Sequence, residues 1–144
     1  KAIGDLLGGN MNFAGSLESP YSGLFFYGCH IVEMMMTVFG YDVKSVLASS
    51  VNADKTSIIA KYENFNVTLN IINGIWKYEL TLYGTEGIQS SLIDISIIYK
   101  QGFDKFAEML RTKVMPLSFD ELVKPVAVID AINKSLEEKR EVEI

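Results

Sequence analysis

The sequence predicts an α+β domain: a mainly antiparallel open β-sheet with helices packed on one face, a two-layer sandwich. Between Asp42 and about Ile98 apolar residues recur at every second position, in short segments set apart by turn residues, which is the pattern of hairpin-linked strands. On either side of that block the spacing becomes helical. Regular alternation of strand and helix, which a parallel sheet needs, is missing. With 49% hydrophobic residues over 144 positions the chain can close one core, and no linker, repeat or low-complexity tract divides it. It reads as a single domain spanning 1–144.

The elements follow in order. Ile3 to Phe13 reads as a strand, and Ser16, Glu18, Ser19 and Pro20 as a polar loop long enough to carry function. Ile31, Met34, Met35 and Val38 fall at helical spacing before Gly40, so 28–39 is an amphipathic helix entered through a turn at Gly28. Strands are expected near 43–51, 57–62, 65–72, 76–83 and 87–97. The connections, such as Asn52-Ala53-Asp54, Glu63-Asn64 and Asn73-Gly74, are short enough to impose antiparallel pairing. Alternation puts Phe65, Val67, Leu69 and Ile71 on one face, as it does Trp76, Tyr78, Leu80 and Leu82 on the next strand. Asn66, Thr68, Asn70, Lys77, Glu79 and Thr81 point the other way. Helical spacing then returns in two stripes, Phe103, Phe106 and Leu110, then Leu122, Val126, Ile129, Ile132 and Leu136. Ser118-Phe119-Asp120-Glu121 is a capping box, and Pro125 either bends the helix it starts or marks where regular helix begins. Glu141 to Ile144 reads as a terminal strand.

Composition excludes several classes of function. A net charge of −5 with scattered Lys and Arg offers no basic field for nucleic acid. A lone cysteine closes no internal disulfide, and no apolar run approaches the ~18 residues of a membrane span, so the expectation is a soluble, cytoplasmic protein. Gly4, Gly8 and Gly9 do not form G-x-G-x-x-G and no P-loop occurs, so the chain carries no nucleotide cradle of its own. One His, one Cys and a nearby Glu are too few ligands for a closed zinc site. The chain opens on Lys1 and passes directly into a strand pattern, which leads us to expect further sequence upstream.

His30, the only histidine, is the first candidate for chemistry. A helix N-terminus disfavours extra positive charge and helps keep an imidazole neutral, as a general base must be. A histidine that merely packs and bonds a loop carbonyl is the commoner case. Glu33, three residues on, shares its face and could orient the ring or bind a hydroxylated ligand, although a solvated carboxylate needs no such role. Tyr21 and Tyr27 flank the approach to the helix, within reach of a polar ligand beside the imidazole. Cys29 reads as a small buried residue rather than a nucleophile. Two of Met34, Met35 and Met36 fall on the core stripe, and Trp76 and Tyr78, which could stack on a sugar, share the apolar face of their strand.

Two stretches together resemble the C-terminal domain of the Gfo/Idh/MocA oxidoreductase family. Gly28-Cys29-His30-Ile31-Val32-Glu33 is similar to the family's glycine-x-histidine-x-x-acid segment. Pro125 to Ser135, with Ala131-Ile132-Asn133-Lys134-Ser135 at its end, followed by Glu141-Val142-Glu143-Ile144, is similar to its closing helix and strand. The order of the intervening strands also agrees, so the likeness spans nearly the whole chain. The resemblance implies an N-terminal Rossmann domain upstream that binds NAD or NADP, with this chain shaping the pocket for a sugar, polyol or related compound. A hydroxyl would be oxidised, or a carbonyl reduced, with His30 handling the proton. It further implies a homo-oligomer, dimer or tetramer, joined through the open face of the sheet. One position departs from the pattern: many members carry an aspartate four residues before the histidine, and here that residue is Phe26. The departure motivates a second reading, a non-catalytic regulator or ligand sensor that keeps the fold. A third is a free-standing isomerase using His30 and Glu33.

Overall fold

The computed structural model describes residues 3–144. In chain order the elements are β1 (Leu6–Ala14), α1 (Leu24–Tyr27), α2 (Cys29–Phe39), β2 (Ser45–Asn52), β3 (Lys55–Lys61), β4 (Asn66–Ile72), β5 (Tyr78–Gly84), β6 (Gly87–Ile93), α3 (Ile98–Thr112), α4 (Phe119–Glu138) and β7 (Val142–Glu143). They build the α+β architecture expected. The seven-stranded sheet has the order β6-β5-β1-β4-β3-β2-β7, and the hairpins β2–β3, β3–β4 and β5–β6 are antiparallel.

One short connection does not make a hairpin. Although only 73–77 separate β4 from β5, β1 lies between them, parallel to β4 and antiparallel to β5. The connection therefore crosses two strand spacings, about 10 Å, over the end of β1. Trp76 sits in that crossing and is 88% exposed, which corrects its assignment to the core. Gly9 is where α2 crosses β1: a Cβ there would lie 2.2 Å from Phe39 Cζ, so only glycine lets that aromatic ring seat on the strand.

The core lies between one sheet face and two helices. Met11 and Phe13 of β1, Ile58 of β3, and Val67, Leu69 and Ile71 of β4 meet Ile31, Val32, Met35 and Met36 of α2 and Val128, Ile129 and Ile132 of α4. The buried stripe of α2 is turned from the one expected, because Val32, Met36 and Phe39 are buried while Val38 is exposed. Each such side chain stabilises the fold by roughly 1.5–3 kcal/mol relative to exposure.

The capping box is formed as the sequence predicts: Ser118 Oγ accepts from the Glu121 N–H at 3.2 Å, and the Ser118 N–H donates to Glu121 Oε2 at 2.7 Å. α4 continues through Pro125, which is buried, and its final turn is tied to the sheet. Ser135 Oγ accepts the Ala48 N–H at 2.9 Å and donates to the Arg140 carbonyl at 2.6 Å. β7 then pairs with Ser45 and Val46 of β2. In contrast, α3 buries none of its residues. Its stripe is regular, yet Phe103 is 68% exposed, since periodicity sets which residues share a face and not what covers it.

Among the described residues no helix packs over the opposite face of the sheet. Ser57 Oγ donates to Asn70 Oδ1 at 2.8 Å, Asn70 Nδ2 to Asn12 Oδ1 at 2.9 Å, and Asn12 Nδ2 to Glu79 Oε2 at 3.0 Å. This row of hydrogen bonds crosses four adjacent strands and fixes side chains that would otherwise be free in solvent. Among the described residues no helix is long and apolar enough to cross a membrane.

Candidate functional site at the start of the second helix

Three elements meet around His30: the C-terminal end of β1, the first residue of β5, and the α1–α2 segment. Phe13, buried near the end of β1, stacks obliquely against Tyr27 with ring centroids 5.4 Å apart and against Tyr78 at 4.7 Å. Tyr27 and Tyr78 share a hydrogen bond between their hydroxyls at 2.9 Å. The Tyr27 ring also stands edge-on to the His30 imidazole, with centroids 5.4 Å apart and an interplanar angle of 87°. Tyr27 thus links the histidine to the sheet.

The entry to the helix differs from the turn expected at Gly28. Gly28 has helical angles, φ −67° and ψ −18°, and the chain turns earlier, at Ser22 and Gly23, where φ is 80° and 56°. The glycine is needed for space: a Cβ at position 28 would lie 2.1 Å from Leu24 Cδ1, and Leu24 is a buried anchor of α1. Since α1 runs through Gly28 into α2, and the Val32 N–H already donates to the Gly28 carbonyl at 3.3 Å, His30 is not at a clean helix N-terminus. The dipole argument for a neutral imidazole therefore loses much of its force, because that effect is confined to the first turn of a helix.

His30, Tyr21, Tyr27 and Glu33 are all solvent-exposed. The structure brings Tyr27 to His30, whereas Tyr21 stacks on Phe26 with centroids 4.9 Å apart. Glu33 lies one turn along α2 on an open surface. Burial, and then the Glu33 charge, push the Cys29 thiol upward from its usual value. A protonated thiol donating to the Phe26 carbonyl is a poor nucleophile, as its reading as a packing residue anticipates.

Sequence reasoning weighed Tyr78 for stacking on a sugar and assigned it to the core; the structure packs it against the core, half-buried, and also brings its hydroxyl to Tyr27. Its hydrogen bond to Tyr27, then burial, push its phenol up to about 12, so it stays protonated and can donate or accept at neutral pH. Alternation correctly places Tyr78 on the apolar side, but its nearness to Tyr27 follows from the insertion of β1 beside β5, for which the sequence carries no local signal.

Among the described residues, His30 does not line either of two surface clefts. One, of about 370 Å³, lies at the β2–β7 margin among Asp42, Lys44, Ser45, Lys124 and Glu141. The other, of about 510 Å³, runs along α3 beside Gln101 and Lys105. The His30 surface is open, and a second body would have to close over it before it could exclude water. Among the described residues no group of three His, Cys, Asp or Glu side chains is placed to hold a metal ion. Nor do the paired glycines of β1 offer a phosphate cradle. Gly8 and Gly9 lie inside β1, where a Cβ would strike the Asn66 carbonyl at 2.8 Å and the Phe39 ring at 2.2 Å, so their bareness admits protein neighbours rather than phosphates.

The fold is that of Gfo/Idh/MocA-type oxidoreductases over about half of their length, which bears out at the level of fold the resemblance drawn from the sequence. GenD2 from gentamicin A biosynthesis, solved in complex with NAD, superposes with a TM-score of 0.79 at 15% identity, covering 99% of this chain and 56% of that one. myo-Inositol dehydrogenase from Lactobacillus casei, in complex with NAD(H) and myo-inositol, gives 0.77 at 13% identity over 99% and 55%. The WlbA dehydrogenase from Bordetella pertussis, in complex with NADH and UDP-GlcNAcA, gives 0.75 at 13% over the same shares. At such identities the likeness establishes the fold alone. No family model matches the sequence, and no curated protein matches it.

Proposed function

We propose that this chain is the substrate-binding and oligomerisation half of an NAD(P)-dependent oxidoreductase acting on a sugar, polyol or related hydroxyl or carbonyl compound. The observation that carries the reading is the asymmetry of the structural match, 99% of this chain against 55–56% of the NAD- and NADH-bound proteins. In this reading an N-terminal Rossmann domain binds the nucleotide, which supplies the hydride chemistry, and that domain closes over the open His30 surface. The intact protein then works in the cytoplasm, and the chain alone is inactive.

Within that arrangement His30 accepts or donates the proton of the reacting hydroxyl. Tyr27 holds the imidazole edge and, with Tyr78, offers phenols to a polyol. Tyr21 and Glu33 line the approach from either side. Homo-oligomerisation through the open sheet face is supported by the hydrogen-bonded row from Ser57 to Glu79, with Leu47, Tyr83, Ile88 and Leu92 exposed on the same face.

The test uses the full-length protein with polyols and NAD(P). His30→Ala is expected to lower turnover by about 10²–10⁴-fold, the usual worth of a positioned acid or base, while nucleotide binding is unchanged. Wild-type turnover in that variant would refute the role. One observation favours a second reading, a non-catalytic sensor: Phe26 stands where an orienting acid is expected, and no side chain among the described residues hydrogen-bonds the imidazole. Polyol-dependent reduction of NAD(P) by the wild-type protein would exclude it.

A further inference from the structure

The two margins of the sheet are treated differently. At the β2 margin, β7 pairs with Ser45 and Val46, and the next outward amide, Ala48, is taken by Ser135 Oγ of α4. At the other margin, among the described residues, no strand lies beyond β6. Every residue from Gly87 to Leu92 is exposed, with Ile88 at 71% and Leu92 at 61%. Its sequence, Gly-Ile-Gln-Ser-Ser-Leu-Ile, carries no charge and no proline, and its ladder with β5 runs from Tyr78–Ile93 to Gly84–Gly87 without a bulge. Charge, proline and bulges are the usual protections of a free edge. β6 has none of them.

We infer that the β6 edge is an interface for a second copy of this chain, joined by antiparallel β6–β6 pairing about a twofold axis at Ser90. The hairpin β5–β6 closes at the pair Gly84–Gly87, which a two-residue loop makes a hydrogen-bonded pair. Alternation then turns the N–H and C=O groups of Gln89, Ser91 and Ile93 toward β5 and those of Ile88, Ser90 and Leu92 outward. A twofold axis at Ser90 sets Ser90 against its own copy and Ile88 of one copy against Leu92 of the other. All the outward groups of the three residues are thereby paired. The same register brings two exposed aliphatic pairs together on one face, the kind of cross-strand contact that stabilises sheets.

Self-complementarity favours a second copy over an unrelated partner. An isologous contact presents one surface twice, residue i meeting j and j meeting i; here Ile88 and Leu92 meet across the axis, and because β6 is uncharged throughout the pairing brings no like charges together. This contact shares Ile88 and Leu92 with the proposed face contact, but it is made by the outward backbone groups of the edge and does not depend on it.

The test uses the 144-residue chain. In hydrogen exchange, the outward amides of Ile88, Ser90 and Leu92 should become more protected as protein concentration rises, while those of Gln89, Ser91 and Ile93 stay protected throughout. Outward amides that exchange freely at every concentration would overturn the proposal. Ser90→Pro removes an outward N–H without breaking a bond to β5, and in sedimentation it should halve the mass of the assembly. Ser90→Ala, which also loses the 2.8 Å contact with Thr81 but keeps the amide, should match wild type. Thr68→Arg, at the middle of the open face, should leave the edge contact intact, so that failure of the face contact is scored separately. A wild-type monomer, or an unchanged mass for folded Ser90→Pro, would refute the edge contact. Should Ser90→Pro not fold, the exchange pattern decides.

Discussion

Ser135→Ala removes a single oxygen from the end of α4, and its cost follows from what that oxygen serves. The side chain is fully buried, at 0% exposure, accepting from the Ala48 amide and donating to the Arg140 carbonyl. The amide lies on the margin of β2 just beyond β7, and the carbonyl in the link that leads α4 into β7. Leaving a buried amide without an acceptor costs about 1–3 kcal/mol, and the part-buried carbonyl adds on the order of 1 kcal/mol. The expected loss is therefore about 2–4 kcal/mol. With a urea m-value of roughly 2 kcal/mol/M, the unfolding midpoint should fall by about 1–2 M without change in slope. Ser57→Ala is the comparison: it also deletes a hydrogen bond between strands, at 2.8 Å to Asn70, but on an exposed surface, where about 0.5 kcal/mol or less is expected. Equal losses in the two variants would refute the argument that burial, and not the bond itself, sets the cost.

Other consequences concern the site. Tyr27→Phe removes the partner that most raises Tyr78, so the Tyr78 phenol, followed by ultraviolet titration, should fall from about 12 toward its ordinary value of 10. Because its folded-state value is raised, the wild-type contribution to stability is complete below pH 10 and declines as pH rises toward 12. A Tyr78 midpoint that does not move in the variant would break the link between the two phenols. Gly28→Ala puts a methyl group 2.1 Å from Leu24 Cδ1, and overpacking of this kind costs about 1–3 kcal/mol. A variant of wild-type stability in thermal unfolding would show that Leu24 can move aside.

The fold was largely legible because its signals are local. Alternation located β2 to β6, the capping box located the start of α4, and apolar spacing located α2, α3 and α4 as helices. The order of strands was not legible, since the insertion of β1 between β4 and β5 depends on contacts distant in sequence. That one event placed Trp76 in solvent and Tyr78 beside Tyr27. Around His30, the nearness of Tyr27 was legible from its position before the helix, whereas the helical state of Gly28 was not, because a glycine marks a turn and a tight helix crossing equally well. The exposure of α3 was likewise hidden, for an amphipathic stripe reads the same with or without a cover.

The central claim is that His30 faces a ligand held between this domain and a nucleotide-binding neighbour. Its most direct test is the rate at which diethyl pyrocarbonate modifies His30, followed by mass spectrometry of its peptide in the full-length protein. Binding of NAD(P) and polyol together should slow modification at least about tenfold relative to this chain alone, since a closed site excludes reagent as it excludes water. A rate in the liganded full-length protein equal to that of this chain alone would show that the imidazole stays in open solvent and takes no part.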